Sequence, residues 1–258
     1  MSGEPTVGPR VGPNAWGILG GTFDPVHYAH LAVAEQTRER LGLRGVLFVP
    51  AAVPPHKPGR PVSAARHRLA MVELAIADNS TFRASRIELD RPGPSYTVDT
   101  VAALLADPPG DIGAAGGAVG GAAGGTAGGA AGDLELVVIV SVEALALLPD
   151  WHEPLRLLDL CRVAVVPRRG YEPPARDWLR RHFPGREARF IVLDGPDLGH
   201  SASAIRESVR AGRSIRYLVP PLVDRYIRAH GLYAGSWPAE RSAPDEGAIE
   251  PSKPEPTT

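Results

Sequence analysis

The chain has 258 residues, enough for one large domain or two small ones with a buried core. Its formal net charge is −1, so no electrostatic field favours nucleic acid or an anionic membrane as a partner. The single cysteine, Cys161, excludes an intrachain disulfide, and no run approaches the ~18 apolar residues of a membrane span. Because no signal peptide is present, we predict a cytoplasmic protein without nucleic-acid or membrane partners, and the sequence leaves a homo-oligomer open.

The predicted elements alternate between short apolar runs and helical patterns. The predicted strands are 16–19, 46–49, 85–89, 134–140, 162–166 and 189–193. The predicted helices are 28–41, 64–77, 98–106, 174–182, 204–211 and 220–230. The run "LELVVIV" is apolar almost throughout, as a strand covered on both faces must be. The alternation therefore predicts one α/β domain, over residues 14–235, with a parallel sheet between two layers of helices.

Three segments differ in composition from this domain. Residues 1–13 are polar with Gly and Pro, residues 110–132 are almost entirely Gly and Ala, and residues 236–258 are Pro-rich and charged. None offers enough apolar surface to offset the entropy of ordering, which predicts a flexible tail, a flexible insertion and a disordered tail. A glycine-rich phosphate loop is the alternative for the insertion, but its lack of a Gly-Lys-Ser/Thr ending favours a linker.

The first predicted strand runs into "GGTFDPVHYAH", residues 20–30. Ligands of an open parallel sheet bind at the carboxyl ends of its strands, and Gly20 and Gly21 remove side chains at such an end. His27 and His30 are three residues apart, on one face of the first turn of the next helix. The positive end of that helix lies beside the two imidazoles, which predicts a site for polyphosphate.

Two other interpretations of the histidines compete. His27 and His30 could bind a metal ion, but Cys161 is expected to be buried and no carboxylate completes a metal motif. A helix start with a purely structural role would explain one histidine, but not two behind a double glycine.

The segment "GGTFDPVHYAH" resembles the His-x-Gly-His signature of nucleotidyltransferases, and further matches resemble the bacterial nicotinate mononucleotide adenylyltransferases. The matching segments are "FVPAAVPPHKPGRPVSAARHRLAMVELAI" (48–76), "SYTVDTV" (95–101), "ALALLPDWHEPLRLLDLCRVAVVPRRGY" (144–171) and "HSASAIRESVRAGRSIRYLVPPLVDRYIRAHGLY" (200–233). The likeness covers residues 16–233 apart from the insertion, and its five motifs occur in the family's order. It implies a Rossmann-like, doubly wound parallel sheet.

The resemblance also implies a reaction. The phosphate of nicotinate mononucleotide would attack the α-phosphorus of ATP, giving pyrophosphate and nicotinate adenine dinucleotide, a step of NAD biosynthesis. The nucleophile is already an anion, so the protein has mainly to position the substrates and stabilise charge. Mg²⁺ is expected, held chiefly by phosphates and water rather than by protein ligands.

The resemblance implies an ATP site made from two segments. In the first, Gly20, Gly21, Thr22 and Phe23 would bring backbone N–H groups and a hydroxyl to the α-phosphate, and His27 and His30 would donate hydrogen bonds to the phosphates. In the second, Ser201, Ser203, Ile205 and Arg206 would bind the β- and γ-phosphates at a helix N-terminus. His27, His30 and Arg206 are the candidate catalytic residues, and Lys57 is either a further phosphate contact or a solvated loop lysine.

The acceptor site follows from the same resemblance. Trp151 would stack on the nicotinate ring, unless it only packs in the core, and Thr97 would bond near the carboxylate. Arg168 would pair with the mononucleotide phosphate, and Glu143 is a further candidate contact with the acceptor. Tyr96 and Tyr233 are expected to be structural.

Three departures from the family's pattern bear on activity. Ala29 replaces Gly in the His-x-Gly-His pattern, and Ala202 replaces the second Ser of the later helix motif. Residues 141–143, "SVE", stand where Gly-Ala-Asp is usual, which predicts extra bulk in a tight turn beside the acceptor. We expect an active enzyme, with altered acceptor affinity as one consequence of these changes.

Three further functions remain open on the sequence. A sibling transferase could use nicotinamide mononucleotide or phosphopantetheine as its acceptor. A relative without catalytic activity could bind nucleotide only, and a scaffold could bind partners through the Gly/Ala segment and the Pro-rich tail.

Overall fold

A computed structural model describes residues 11–53, 62–113, 134–167, 175–194, 199 and 201–235. Its strands are β1 (Ala15–Gly21), β2 (Gly45–Pro50), β3 (Phe82–Ala84), β4 (Glu135–Ser141), β5 (Arg162–Val166) and β6 (Phe190–Val192). Its α-helices are α1 (Tyr28–Leu41), α2 (Ala65–Ile76), α3 (Thr97–Ala106), α4 (Gly110–Gly113), α5 (Val142–Ala146), α6 (Pro154–Leu160), α7 (Arg176–His182), α8 (Ala202–Arg210) and α9 (Pro221–Ala229). Short 3₁₀ turns cover Leu148–Asp150 and Glu187–Arg189.

The six strands form one parallel sheet in the order β3-β2-β1-β4-β5-β6. The chain adds strands on one side of β1 and then crosses to β4, which makes the β1/β4 border the switch point where ligands of doubly wound sheets bind. The predicted α/β class and Rossmann-like topology are confirmed. The carboxyl ends of β1 and β4, at Gly21 and Ser141, therefore lie side by side at the expected crevice.

Each face of the sheet carries its own hydrophobic core. One core packs α1, α2, α8 and α9 against the sheet, through buried residues such as Ala34, Met71, Ile205 and Val223. The other packs α3 to α7 against the opposite face, through residues such as Val101, Leu145 and Leu157. Within the described ranges, every helix is too short or too polar to span a bilayer.

The prediction of a strand over residues 85–89 is wrong. The strand ends at Ala84, and the hydroxyl oxygen of Ser85 accepts a hydrogen bond from the Ile87 backbone N–H at 3.2 Å. A serine that bonds its own backbone in this way offers the chain a turn in place of a ladder. The apolar residues Ile87 and Leu89 lie in that turn.

The described residues include one end of each of two segments that the sequence predicts to be flexible. Residues 110–113 form α4, and Ile112 is buried in the core between the sheet and α3, so the predicted insertion cannot start at residue 110. Val11 packs against the other core, and the Gly12 backbone N–H donates to Glu135 Oε2 at 2.6 Å. The other residues of the predicted insertion, 114–132, and of the tails, 1–10 and 236–258, lie outside the described residues.

Candidate active site

The loop after β1 presents the two histidines as predicted. His27 is the N-cap of α1 and His30 is its third residue, and their rings stack with centroids 3.8 Å apart. The His27 backbone N–H donates to Nδ1 of His30 at 3.2 Å. Because Nδ1 accepts this bond, the neutral His30 ring carries its proton on Nε2. His30 is therefore preset as a hydrogen-bond donor through Nε2.

The two glycines of this loop have different roles. A Cβ added at Gly20 would meet no atom within 4 Å, whereas one at Gly21 would lie 3.1 Å from the ring of Phe23. Phe23 has a positive φ of 52°, which is strained for a residue with a side chain, and its buried ring contacts His30 edge-on at 5.0 Å. Gly20 thus leaves space for a ligand, while Gly21 makes room for the aromatic ring that supports His30.

Helix α8 reaches this loop through Arg206. Its Nη1 donates to the backbone carbonyl oxygen of Asp24 at 2.6 Å, and its Nη2 donates to Ser203 Oγ at 3.2 Å. Ser201 is the N-cap of α8, and its side chain makes no capping hydrogen bond. Ile205 is only 1% exposed, so its side chain belongs to the core and cannot contact a nucleotide. The structure thus brings the first loop together with Arg206, Ser203 and the N-terminus of α8.

Buried polar groups form hydrogen bonds that support the loop after β1. Tyr233 donates from its hydroxyl to Asp24 Oδ1 at 2.6 Å, and the Ser63 backbone N–H donates to Asp24 Oδ2 at 3.2 Å. Arg68 is 1% exposed and donates to the carbonyl oxygens of Thr22 and Ser63, both at 2.9 Å. Burial lowers the pKa of Arg68, while the nearby Asp24 carboxylate opposes that shift. The conformation of the loop is therefore fixed before any ligand binds.

Sequence reasoning missed Arg68 and the Asp24 carboxylate as supports of the site. Arg68 occurs in "AARHRLAMV", where an arginine looks like part of a solvated helix face. A signal was present, because Arg68 lies three and four residues before the buried Met71 and Val72 and hence on the apolar face of α2. A charged residue on such a face needs buried partners.

Two of the predicted acceptor residues, Thr97 and Trp151, lie near the start of α3. Thr97 is the first residue of that helix, where unpaired backbone N–H groups favour an anion. Trp151 is half-buried and packs against the core beside Tyr96, whose ring stacks on His152 with centroids 4.2 Å apart. The structure thus gathers Thr97 and Trp151 into one region around Tyr96 and His152.

The departure at residues 141–143 is accommodated by a helix rather than a tight turn. Ser141 ends β4 and caps α5, and its hydroxyl oxygen accepts a hydrogen bond from the Ala144 backbone N–H at 3.2 Å. Val142 is buried, and Glu143 lies in the first turn of α5. The predicted crowding of a tight turn is wrong, because the strand passes directly into a helix with a serine cap.

Two predicted contacts cannot be located. Lys57 and Arg168 both lie outside the described residues. Among the residues that are described, no group of three or more His, Cys, Asp or Glu side chains could hold a metal ion.

A doubly wound parallel sheet whose first loop and α8 meet at the switch point is an architecture that fits a nucleotidyltransferase. In agreement, the family model described as "Cytidylyltransferase-like" matches residues 18–208. Among curated relatives, one from Thermomicrobium roseum is 41% identical, covering 84% of this chain and 90% of the relative. A second relative, from Roseiflexus sp., is 44% identical, covering 84% of this chain and 96% of the relative. Both carry the name "Probable nicotinate-nucleotide adenylyltransferase", and the chain belongs to this nicotinate-nucleotide adenylyltransferase family.

Solved structures share the fold at much lower identity. A Plasmodium falciparum nicotinic acid mononucleotide adenylyltransferase complexed with NaAD has a TM-score of 0.62 at 16% identity, covering 85% of this chain and 97% of that chain. A Vibrio parahaemolyticus structure titled as a nicotinate-nucleotide adenylyltransferase has a TM-score of 0.54 at 13% identity, covering 86% and 96%. At these identities, the likeness supports the fold alone.

Proposed function

We propose that this chain transfers the adenylyl group of ATP to nicotinate mononucleotide, releasing pyrophosphate and forming nicotinate adenine dinucleotide. The family supports this reaction, and one observation carries the proposal at the level of residues. Arg206 bonds the Asp24 backbone at 2.6 Å, so the first loop and α8 are close enough to bind one triphosphate from two sides.

The reaction forms a bond between a phosphate oxygen of the mononucleotide and the α-phosphorus, and it breaks the bond from that phosphorus to pyrophosphate. The attacking oxygen is already anionic, so the protein needs donors rather than a base. His30 donates from Nε2 and Thr22 from its hydroxyl and backbone. Arg206 stabilises the charge that develops on the leaving pyrophosphate.

The acceptor binds between α3 and the segment that carries Trp151. The Trp151 ring stacks on the pyridine, and the N-terminus of α3 at Thr97 receives the carboxylate. Glu143, in the first turn of α5, is a further proposed contact with the acceptor. Arg168 remains a predicted contact for the mononucleotide phosphate.

Mg²⁺ enters with the nucleotide in this proposal. Phosphate oxygens and water are its usual ligands in nucleotide sites, and the described residues offer no carboxylate cluster to replace them. When bound, the ion would neutralise charge on the triphosphate. A cytoplasmic location and a homo-oligomer remain predictions.

The deciding experiment measures pyrophosphate release with ATP, Mg²⁺ and a panel of acceptors. We expect nicotinate mononucleotide to give the highest kcat/KM, ahead of nicotinamide mononucleotide and phosphopantetheine. A higher kcat/KM for nicotinamide mononucleotide or phosphopantetheine would assign the chain to the adenylyltransferases that use that acceptor. ATP binding without release for any acceptor leaves a nucleotide-binding protein only. A variant without residues 114–132 should keep near-normal turnover, whereas a scaffold function predicts its loss.

A further inference from the structure

A chain of partly buried hydrogen bonds begins at the loop after β1 and crosses to the segment that follows β2. Arg68 donates from Nη1 to the Thr22 carbonyl oxygen at 2.9 Å and from Nη2 to the Ala52 carbonyl oxygen at 3.4 Å. One guanidinium therefore holds the segments that follow β1 and β2. The fork of five donors on arginine makes such a double contact possible.

The chain continues from Ala52 to helix α3. The Ala52 backbone N–H donates to Ser95 Oγ at 2.9 Å, and the Ser95 hydroxyl in turn bonds the Glu88 carboxylate. Thr100, in the first turns of α3, donates from Oγ1 to Glu88 Oε1 at 2.8 Å. Polar contacts thus connect the loop after β1 to α3, the helix that begins at Thr97.

Burial of the Glu88 carboxylate is energetically unfavourable. Its side chain is 7% exposed, and burial raises its pKa above the ordinary value, although bonds from Thr100 and Ser95 oppose that shift. Burial of the Arg68 guanidinium is also unfavourable. Apolar side chains often fill such sites with equal or greater stability, so stability alone does not account for the charges.

We propose that Glu88 is a positioning residue for the acceptor. It fixes the start of α3 relative to the loop after β1. Ser95 lies two residues before Thr97, a predicted acceptor contact, so a shift of Ser95 moves the pyridine site. Arg91 also anchors the start of α3. Its Nη2 donates to Thr100 Oγ1 at 3.3 Å and to the Tyr96 carbonyl oxygen at 3.4 Å. Errors of about 1 Å in the placement of substrates can cost ~10²-fold in rate. This inference rests on the proposed adenylyl transfer.

The test compares Glu88→Gln with wild type in the pyrophosphate assay and in urea unfolding. Glutamine keeps the size of the side chain but replaces one acceptor oxygen with a donor, which opposes the hydroxyls of Ser95 and Thr100. We expect the KM for nicotinate mononucleotide to rise about tenfold, the scale of one altered buried bond, with the KM for ATP within about twofold. Stability should change little, because removal of a buried charge offsets the weakened hydrogen bonds. Glu73→Gln, at an exposed position of α2, is the matched control.

A second pair of variants separates positioning from packing. Thr100→Val keeps the shape and removes the hydroxyl, so it should raise the KM for nicotinate mononucleotide in the same way, and Thr100→Ser should restore it. An unchanged KM in Glu88→Gln overturns the inference, and so does a rise that only follows a loss of stability. Wild type without turnover on nicotinate mononucleotide is a separate result: it overturns the proposed function, and the inference with it.

Discussion

Arg206 donates a hydrogen bond to the backbone carbonyl oxygen of Asp24, a residue 182 positions earlier in the chain. The bond joins the N-terminal part of α8 to the loop after β1, from opposite ends of the sequence. Both segments carry groups that we propose to bind phosphate. The contact therefore brings together the two parts of the proposed ATP site.

Replacing Arg206 should impair the enzyme even when the charge is kept. Arg206→Ala should lower kcat/KM for ATP by about 10²–10³-fold, the effect of losing one transition-state donor. Arg206→Lys should recover only part of this loss, because an ammonium cannot bond Asp24 and Ser203 and still face a phosphate. Steady-state kinetics on pyrophosphate release measures both variants.

The control for this prediction is Arg210→Ala on the same helix. Arg210 is exposed and pairs with Glu207 at 2.7 Å, and such surface pairs contribute little. Its kinetics should match wild type. Full recovery of activity by Arg206→Lys would contradict the role given to the guanidinium fork.

His30→Ala should lower kcat by about 10²-fold or more with a smaller change in the KM for ATP, since the ring acts mainly as charge moves to the leaving group. The stacked partner His27 and the Phe23 ring remain in the variant, so the loop should keep its course. His182→Ala, on the exposed surface of α7, is the control. An effect ten times smaller would remove His30 from the catalytic step.

Tyr233→Phe should destabilise the fold, because it deletes a buried hydrogen bond to the Asp24 carboxylate. A bond to a charged group contributes about 1.5–3 kcal/mol, and urea unfolding at pH 8 should show a loss on that scale. The KM for ATP should rise as well, since Asp24 belongs to the phosphate loop. Tyr217→Phe, at a side chain that is 80% exposed, should change neither quantity.

The same variant should alter the pH dependence of stability. Burial, with help from Asp24, raises the pKa of Tyr233 in the folded protein, so the unfolded chain releases this proton first. The contribution of Tyr233 to stability is therefore complete below about pH 10, the unfolded pKa, and falls as the pH rises above it. The stability gap between wild type and Tyr233→Phe should narrow above pH 10, and a constant gap would contradict this assignment.

Cys161 should be unreactive in the folded protein. It is 2% exposed, its Sγ donates to the Leu157 carbonyl oxygen at 3.3 Å, and burial raises its pKa to about 12. Thiolate is the reactive form, so alkylation at pH 8 should be slow in native buffer and fast in urea. Because the chain has one cysteine, the labelling rate reports unfolding directly in every variant above. Equal labelling rates in both conditions would place Cys161 at the surface.

The sequence was most informative where a local pattern determines the structure. The predicted bounds of α1 and β5 agree with the observed ones, because a helix start after Pro25 and an unbroken apolar strand are both local signals. The prediction that His27 and His30 share a helix turn is confirmed for the same reason.

Predictions were wrong where tertiary partners override the local pattern. Ile112 lies in a Gly/Ala-rich run, yet the core between the sheet and α3 buries it. Arg68 and Glu88 look like surface charges until the sheet brings Thr22 and Thr100 to them. Such partners are many residues away, so no short window of sequence contains them.

The bond from Tyr233 to Asp24 also orders events during synthesis on the ribosome. The loop after β1 emerges early, but the hydroxyl that holds its carboxylate is made only after α9 is complete. A nascent chain that stops before residue 233 thus contains the glycines and histidines of the loop after β1. It lacks the Tyr233 hydroxyl that bonds the Asp24 carboxylate in that loop. The proposed nucleotide site is accordingly completed only when the segment after α9 packs against the loop after β1.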